Sequence, residues 1–161
     1  MQRMKIRSLI HTAVALSLVS ITASRADEAA VAAKLAKFPP AAAEALKKAA
    51  GAATIEAVSI EKEGRVTLYE VDLVEAGKPN REVSVTADGK IQLEEEAVLL
   101  EKVPEAARKA IEAGAKGATI ERINKIKRAN GEVTYEPLYV LKGKKTEVEY
   151  LEDGKVKPEG K

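Results

Sequence analysis

The sequence predicts an α+β protein of two tandem repeats, each an N-terminal helix packed on a 3–4-stranded antiparallel meander. Three observations carry this. The stretches "PPAAAEALKKAAGAATIE" (39–56) and "PEAARKAIEAGAKGATIE" (104–121) align without a gap and are identical at nine of eighteen positions. Each opens with an apolar residue and Pro ahead of alanines at helical spacing. Each is followed by alternating β-formers, broken by Gly-containing turns. The match continues downstream, where Asp88-Gly89-Lys90-Ile91 parallels Asp153-Gly154-Lys155-Val156. The offset stays at 65 residues, give or take one, which is longer than the ~20–50 residues of a solenoid unit.

The chain opens with Arg3, Lys5 and Arg7, then a mostly apolar run from Leu9 to Ala23, then Ser24-Arg25-Ala26. A basic start, an apolar stretch shorter than the ~20 residues of a membrane span and small residues at the cleavage positions read as an export signal, residues 1–26. A retained membrane anchor is the alternative. Cleavage there removes four basic residues and the single histidine, His11. The remaining chain carries 23 basic and 25 acidic residues, net −2. There is no cysteine, so an exported core must hold without disulfides. The expected location is periplasmic or secreted, with the membrane not spanned after cleavage.

Residues 27–37 are helix-prone and lead into the first repeat, 38–102; the second covers 103–161. In the first repeat, Ala42, Ala45, Leu46 and Ala49 share a helix face; in the second, Ala107, Ala110, Ile111 and Ala115 do. Phe38 and Val103 stand where a hydrophobic staple belongs. Glycines near 51 and at 114–117 are expected to end the helices. Strands are expected around Ile55–Ile60, at 65–75, around Val83 and Val85, and briefly after Asp88-Gly89. Their counterparts hold Ile120 and Ile123, span 132–142, hold Val148 and Tyr150, and follow Asp153-Gly154. Asn130-Gly131 is the strongest hairpin signal, because both residues tolerate positive φ. A 60-residue unit buries only about 60% of its unfolded surface, so packing two together adds core that neither has alone.

The apolar-Pro start, the alanine-rich helix ending in Gly-Ala-Thr-Ile-Glu (117–121), the Tyr69-Glu70-Val71 strand and the Asp-Gly-Lys turns resemble the PepSY-like, beta-lactamase-inhibitor-like domains of bacterial envelope proteins. The resemblance covers residues 38–157 in two copies. It implies an exported α+β domain that binds or inhibits proteins such as peptidases. Inhibitors of this kind grip their targets with a concave sheet surface; their cysteines are absent here. In the second copy Pro137 stands in place of the family's Val. Pro cannot donate to a ladder, so strand pairing is expected to suffer there.

Composition argues against an enzyme. After export no His or Cys remains to serve as base or thiol nucleophile. The two serines, Ser59 and Ser84, fall in strands and read as solvent-facing positions. Glu61, Glu63, Glu70 and Asp72 read as a solvated polar face rather than a paired-carboxylate site. Glu94-Glu95-Glu96 lacks the loop of a Ca²⁺ site. No catalytic, cofactor-binding or metal-binding residue is expected. Charge is uneven, with −5 over 38–102 and +3 over 103–161. Lys125, Lys127, Arg128, Lys142, Lys144 and Lys145 read as a basic edge guarding against sheet-to-sheet pairing. Export and few aromatics argue against nucleic acid.

If Tyr69, Val71 and Leu73 face the helix, then Leu68, Glu70 and Asp72 face away. In the copy, Tyr135, Tyr139 and Leu141 face in, while Glu136, Leu138 and Val140 face out. Apolar residues on a face that should be wet call for cover, from a second sheet or from a partner. Leu68, Glu70, Leu138 and Val140 are therefore the candidate partner-binding residues. The expectation is a monomeric, non-enzymatic module that binds an envelope protein. The alternative is a structural envelope protein that holds an anionic polymer or membrane surface through its basic second repeat.

Overall fold

The structure, a computed structural model, describes residues 25–158. The expected export signal, apart from its last two residues, lies outside this range. Among the described residues, no helix is long and apolar enough to cross a membrane. The chain runs α1 (Arg25–Leu35), α2 (Pro40–Ala50), β1 (Thr54–Glu63), β2 (Val66–Val74), β3 (Arg81–Thr86) and β4 (Ile91–Ala97). A 3₁₀ turn at Leu100–Lys102 leads to α3 (Glu105–Ala115), β5 (Thr119–Arg128), β6 (Val133–Leu141), β7 (Lys144–Glu147) and β8 (Tyr150–Leu151).

Two tandem helix-plus-meander repeats are not what this chain forms. All eight strands join one antiparallel sheet in the order β1-β2-β3-β4-β5-β6-β7, with β8 also on β6. The element that overturns the expectation is the β4–β5 pair, which runs from Leu93 opposite Arg128 to Ala97 opposite Asn124. The expected boundary at 102/103 falls beside the 3₁₀ turn, within one sheet-dominated domain. The physical reason lies in the edges. A four-stranded meander ends on a strand whose outer N–H and C=O groups are unpaired, and β5 offers the same row. Their charges fit: Glu94 stands opposite Lys127 and Glu96 opposite Lys125. Lys125 and Lys127 thus lie on an interior strand and guard no edge, whereas Lys144 and Lys145 do sit on the outer strand β7.

Helices α2 and α3 cover one face of the sheet. Pro39 and Pro104 stand at the N-caps, where a missing N–H costs no helical bond. From α2, Ala42, Leu46 and Ala50 meet Val71, Leu73, Val83 and Val85, closed off by Leu35 and Phe38. The Phe38 and Tyr69 rings lie 5.0 Å apart at 59°, within the favoured tilted range. From α3, Ala107 and Ile111 meet Val103, Ile123, Tyr135, Tyr139 and Tyr150. Small residues on the buried helix faces bring both helices close to the sheet. Leu141, expected to face in, is 48% exposed at the end of β6.

Glycine placement differs in detail from expectation. Gly51 does cap α2, its N–H donating to Lys47 O at 3.3 Å. Gly114 instead sits inside α3, and α3 ends at Lys116 in the left-handed region (φ 47°). A Cβ at Gly114 would collide with the Tyr150 hydroxyl and reach 2.8 Å from that of Tyr139. The Tyr139 hydroxyl donates to Ile111 O at 2.8 Å, so the bare backbone of 114 is what lets the two phenols tuck under the helix. At the β5–β6 turn, Gly131 takes φ 85° while Asn130 keeps a negative φ, the type I turn plus bulge rather than type I′. At the β6–β7 turn, Lys142 and Gly143 both take positive φ (51° and 78°).

Pro137 is fully buried on β6, opposite Ile123 of β5. On its other side the ladder breaks. β7 ends at Glu147 opposite Leu138, and β8 resumes at Tyr150 opposite Tyr135. The two short strands are one strand in register, interrupted where Pro137 offers no N–H.

The Asp88-Gly89 and Asp153-Gly154 turns press against the first turns of α2 and α3. A Cβ on Gly154 (φ 83°) would stand 2.6 Å from Ala106 O, which is backbone and does not yield. Gly154→Ala is expected to cost about 1–3 kcal/mol from the forced φ and the collision. A thermal melt checks it. A midpoint within a degree of the parent would show that the turn does not hold the helix in place.

Candidate functional site

The helix-free face of the sheet is where polar chemistry gathers. Alternation sends Leu68 and Glu70 of β2, Glu82 and Ser84 of β3, and Leu93 and Glu95 of β4 to this side. It does the same for Arg122, Asn124, Ile126 and Arg128 of β5 and for Thr134, Glu136, Leu138 and Val140 of β6. No helix lies over them, yet Ser84 is 1%, Ile126 2%, Leu68 5% and Glu95 8% exposed. The sheet's own curl buries them. It brings Glu61 of β1 and Glu149, beyond β7, to the walls of one cleft of about 60 Å³.

The sequence-derived candidates all point to this face. Leu68 and Glu70 line the cleft. Leu138 lies farther along β6, opposite Arg122, and Val140 near the strand's end opposite Thr119. Glu70 and Leu138 are buried (7% and 5% exposed), and Val140 is half-buried. Ser59, as expected, is exposed; Ser84 is not, because curvature closes over it. Sequence reasoning did not single out Ile126, and it read Ser84 as solvent-facing, Glu95 as part of an acidic run, Arg128 as part of a basic edge and Glu136 as outward-facing without making any of them a site residue. Alternation along 81–86 and 91–97 puts Ser84 and Glu95 on this face, but nothing in it signals curl.

Glu70 is fixed by two hydroxyls: Ser84 Oγ donates to Oε1 at 2.7 Å and Ser59 Oγ to Oε2 at 3.0 Å. Asn124 Nδ2 donates to Glu95 Oε2 at 3.0 Å, tying β5 to β4 through side chains as well as backbone. On the β5–β6 side a cationic network holds the carboxylates. Arg128 Nη2 donates to both oxygens of Glu149 at 2.8 and 3.0 Å. Lys157 lies 2.7 Å from Glu132 and 3.3 Å from Glu149. Arg122 reaches Glu147 at 3.4 Å, leaving its buried Nε without a partner.

Two carboxyls on this face are strongly perturbed. Burial, then the Glu95, Glu70, Asp72 and Glu61 carboxylates, pushes Glu82 up to about 9. Burial, then Glu147, Glu95 and Glu149, pushes Glu136 up to about 8, with Arg122 opposing. Near neutral pH both are proton-bearing hydrogen-bond donors set among acceptors. The face thus combines an apolar floor, oriented carboxylates and neutral acids. That set suits recognition, and among the described residues no group of three or more His, Cys, Asp or Glu side chains is placed to hold a metal ion.

No protein-family model matches the chain, and no curated protein matches it. Solved structures do. A protein of Bacteroides eggerthii named as periplasmic aligns with a TM-score of 0.60 at 18% identity, over 74% of this chain and 85% of that one. A DUF2874 family protein of Bacteroides ovatus aligns at 0.57 and 13% identity, over 74% and 84%. A BLIP-like protein of Bacteroides fragilis aligns at 0.54 and 22% identity, over 75% and 84%. At these identities the likeness shows a shared fold. It supports the inhibitor-like half of the sequence resemblance at the level of architecture and gives no support to PepSY or to two copies.

The raised carboxyls fix the sign of a pH dependence. The folded chain keeps two protons that the unfolded chain, with values near 4.5, has released. Stability is therefore full at and below about pH 4.5, falls as pH rises and levels once about 8 and then 9 are passed. Urea melts between pH 5 and 10 should show this decline, and Glu82→Gln should flatten it and stabilise the protein at pH 9. A profile unchanged by Glu82→Gln would place Glu82 in water.

Proposed function

We propose that the chain is an exported, non-enzymatic protein-binding module that holds an envelope protein, such as a peptidase, on the helix-free face as an inhibitor or regulator. The observation that carries this reading is the face itself: a curled sheet surface, clear of helices, with oriented carboxylates over an apolar floor. Support comes from the BLIP-like neighbour, whose name refers to a beta-lactamase inhibitor. Export rests on the basic-apolar start of the sequence and agrees with the neighbour named as periplasmic.

The anionic-polymer alternative loses ground on charge placement. Lys125 and Lys127 face glutamates of β4, Arg128 is held by Glu149, and Lys145 lies 3.4 Å from Glu121. The basic residues of the second half are spread over both faces and an edge and are largely engaged.

Val140 is the accessible member of the candidate set and the position to test. With the protein as bait in envelope extract of its source, one protein should stay bound through a high-salt wash, as apolar contacts do. Val140→Asp should release it while leaving the melting midpoint within a few degrees. Leu138→Asp is expected to cost about 3–5 kcal/mol by burying a charge, so its loss of binding would carry no information. Retention of the same protein by Val140→Asp would remove the far end of β6 from the contact, and an empty high-salt fraction would sink the reading.

A further inference from the structure

The two margins of the sheet are not equally closed. On the β7 side Pro137 cuts the ladder, and the tail folds back over β8: Val156 bridges Tyr150, and the Lys157 N–H donates to Glu149 O at 2.8 Å. On the other side β1 runs ten residues and pairs only with β2. Its turn, Gly64-Arg65, has two residues and begins with Gly64 at φ 62°, so Glu63 and Val66 form a hydrogen-bonded pair. Counting back along the strand, Ser59 and Glu61 turn their backbone groups to β2, while Val58, Ile60 and Lys62 turn theirs outward. Among the described residues, no backbone group bonds to that outward row. Helix α1 packs against β1 with Leu35 in the core, yet Ile60, at the centre of the row, is left 56% exposed.

We propose that a second copy of this chain covers the margin, β1 pairing antiparallel with β1 about a dyad at Ile60 and joining two sheets into one. In this register the two Ile60 side chains meet, and Val58 of each copy faces Lys62 of the other, with about six backbone hydrogen bonds between them. Val58 and Ile60 share one face, so the four side chains make an apolar stripe under the stems of the two Lys62 residues. The Gly64-Arg65 turn of each copy comes beside Glu56 of the other. Both charged residues are exposed, and neither has an ion-pair partner among the described residues, so the margin is complementary to itself twice over. Neighbouring registers fit less well. A dyad at Glu61 sets two carboxylates face to face, and one at Ser59 runs the bulge between Ile55 and Ala57 into the new ladder. The pairing closes on itself, because the joined sheet ends on both sides at the cut and covered margin.

Sedimentation of the purified protein over a range of concentrations tests this. A monomer–dimer equilibrium with a dissociation constant of about 50 μM is expected, as suits a contact this small. Amide exchange followed by NMR reads the register. Between about 50 μM and about 1 mM, the Val58, Ile60 and Lys62 amides should slow about threefold, while those of Ser59 and Glu61, bonded to β2 in either state, should not change. Ile60→Pro removes an outward N–H and no bond to β2, so it should weaken the dimer at least tenfold and leave the melting midpoint within a few degrees. Glu56→Arg should weaken it several-fold, and adding Arg65→Glu should restore most of the loss. A monomer at about 1 mM, species larger than a dimer, slowing of the odd-numbered amides instead, or a dimer indifferent to Ile60→Pro would each overturn the proposal. Protection of the outward amides that arises only when envelope extract is added would give the margin to a foreign strand and overturn it too. Val140 lies on β6, so this pairing and the docking reading stand or fall separately.

Discussion

The pairing of β4 with β5 is the contact on which the rest of this structure depends. Without that pair, β4 and β5 would each expose an open row of backbone donors and acceptors. Joining Leu93–Ala97 to Asn124–Arg128 closes that row and makes one sheet wide enough to curl. Only then do Glu61 at one side and Glu149 at the other approach across the same face. The cleft is therefore a product of both halves, and the Asn124–Glu95 hydrogen bond lies on the seam.

The curl has an electrostatic cost that the fold manages in two ways. Toward β6 and the tail, Arg122, Arg128 and Lys157 stand beside Glu147, Glu149 and Glu132. Toward β3, and at Glu136, the protein keeps carboxyls protonated, which removes charge without supplying a cation. Neutral carboxyls inside a curved sheet are a poor choice for stability alone, since apolar residues of similar volume would fill the space without desolvation. Their presence on the one broad face without a helix is the pattern expected when recognition, rather than rigidity, sets the residue choice.

Most elements could be read from the sequence because their signals are local. Proline-headed alanine stretches gave the helices, and period-2 alternation with Asp-Gly and Asn-Gly gave the strands. Alternation also sent Leu68, Glu70, Leu138 and Val140 to the helix-free side. What escaped was non-local. The match of Glu94 and Glu96 to Lys127 and Lys125 spans about thirty residues and is invisible to any short window, so the chain read as two units. Curvature is likewise a property of the whole sheet, which is why Ser84 read as wet and Leu138 as available. Gly114 read as a helix terminator because the phenols that need its bare backbone, Tyr139 and Tyr150, lie far along the chain.

The break at Pro137 makes the two margins of the sheet unlike. One is the ten-residue β1; the other is cut into pieces of four and two residues, the longer one bearing Lys144 and Lys145. Growth of a sheet from copy to copy requires that the last margin of one molecule accept the first margin of the next. Here the accepting side offers no ladder of matching length, so stacking copies head to tail stalls at the first junction. A single imino acid thus gives this cysteine-free chain a guard against fibre growth that other folds obtain by closing into a barrel.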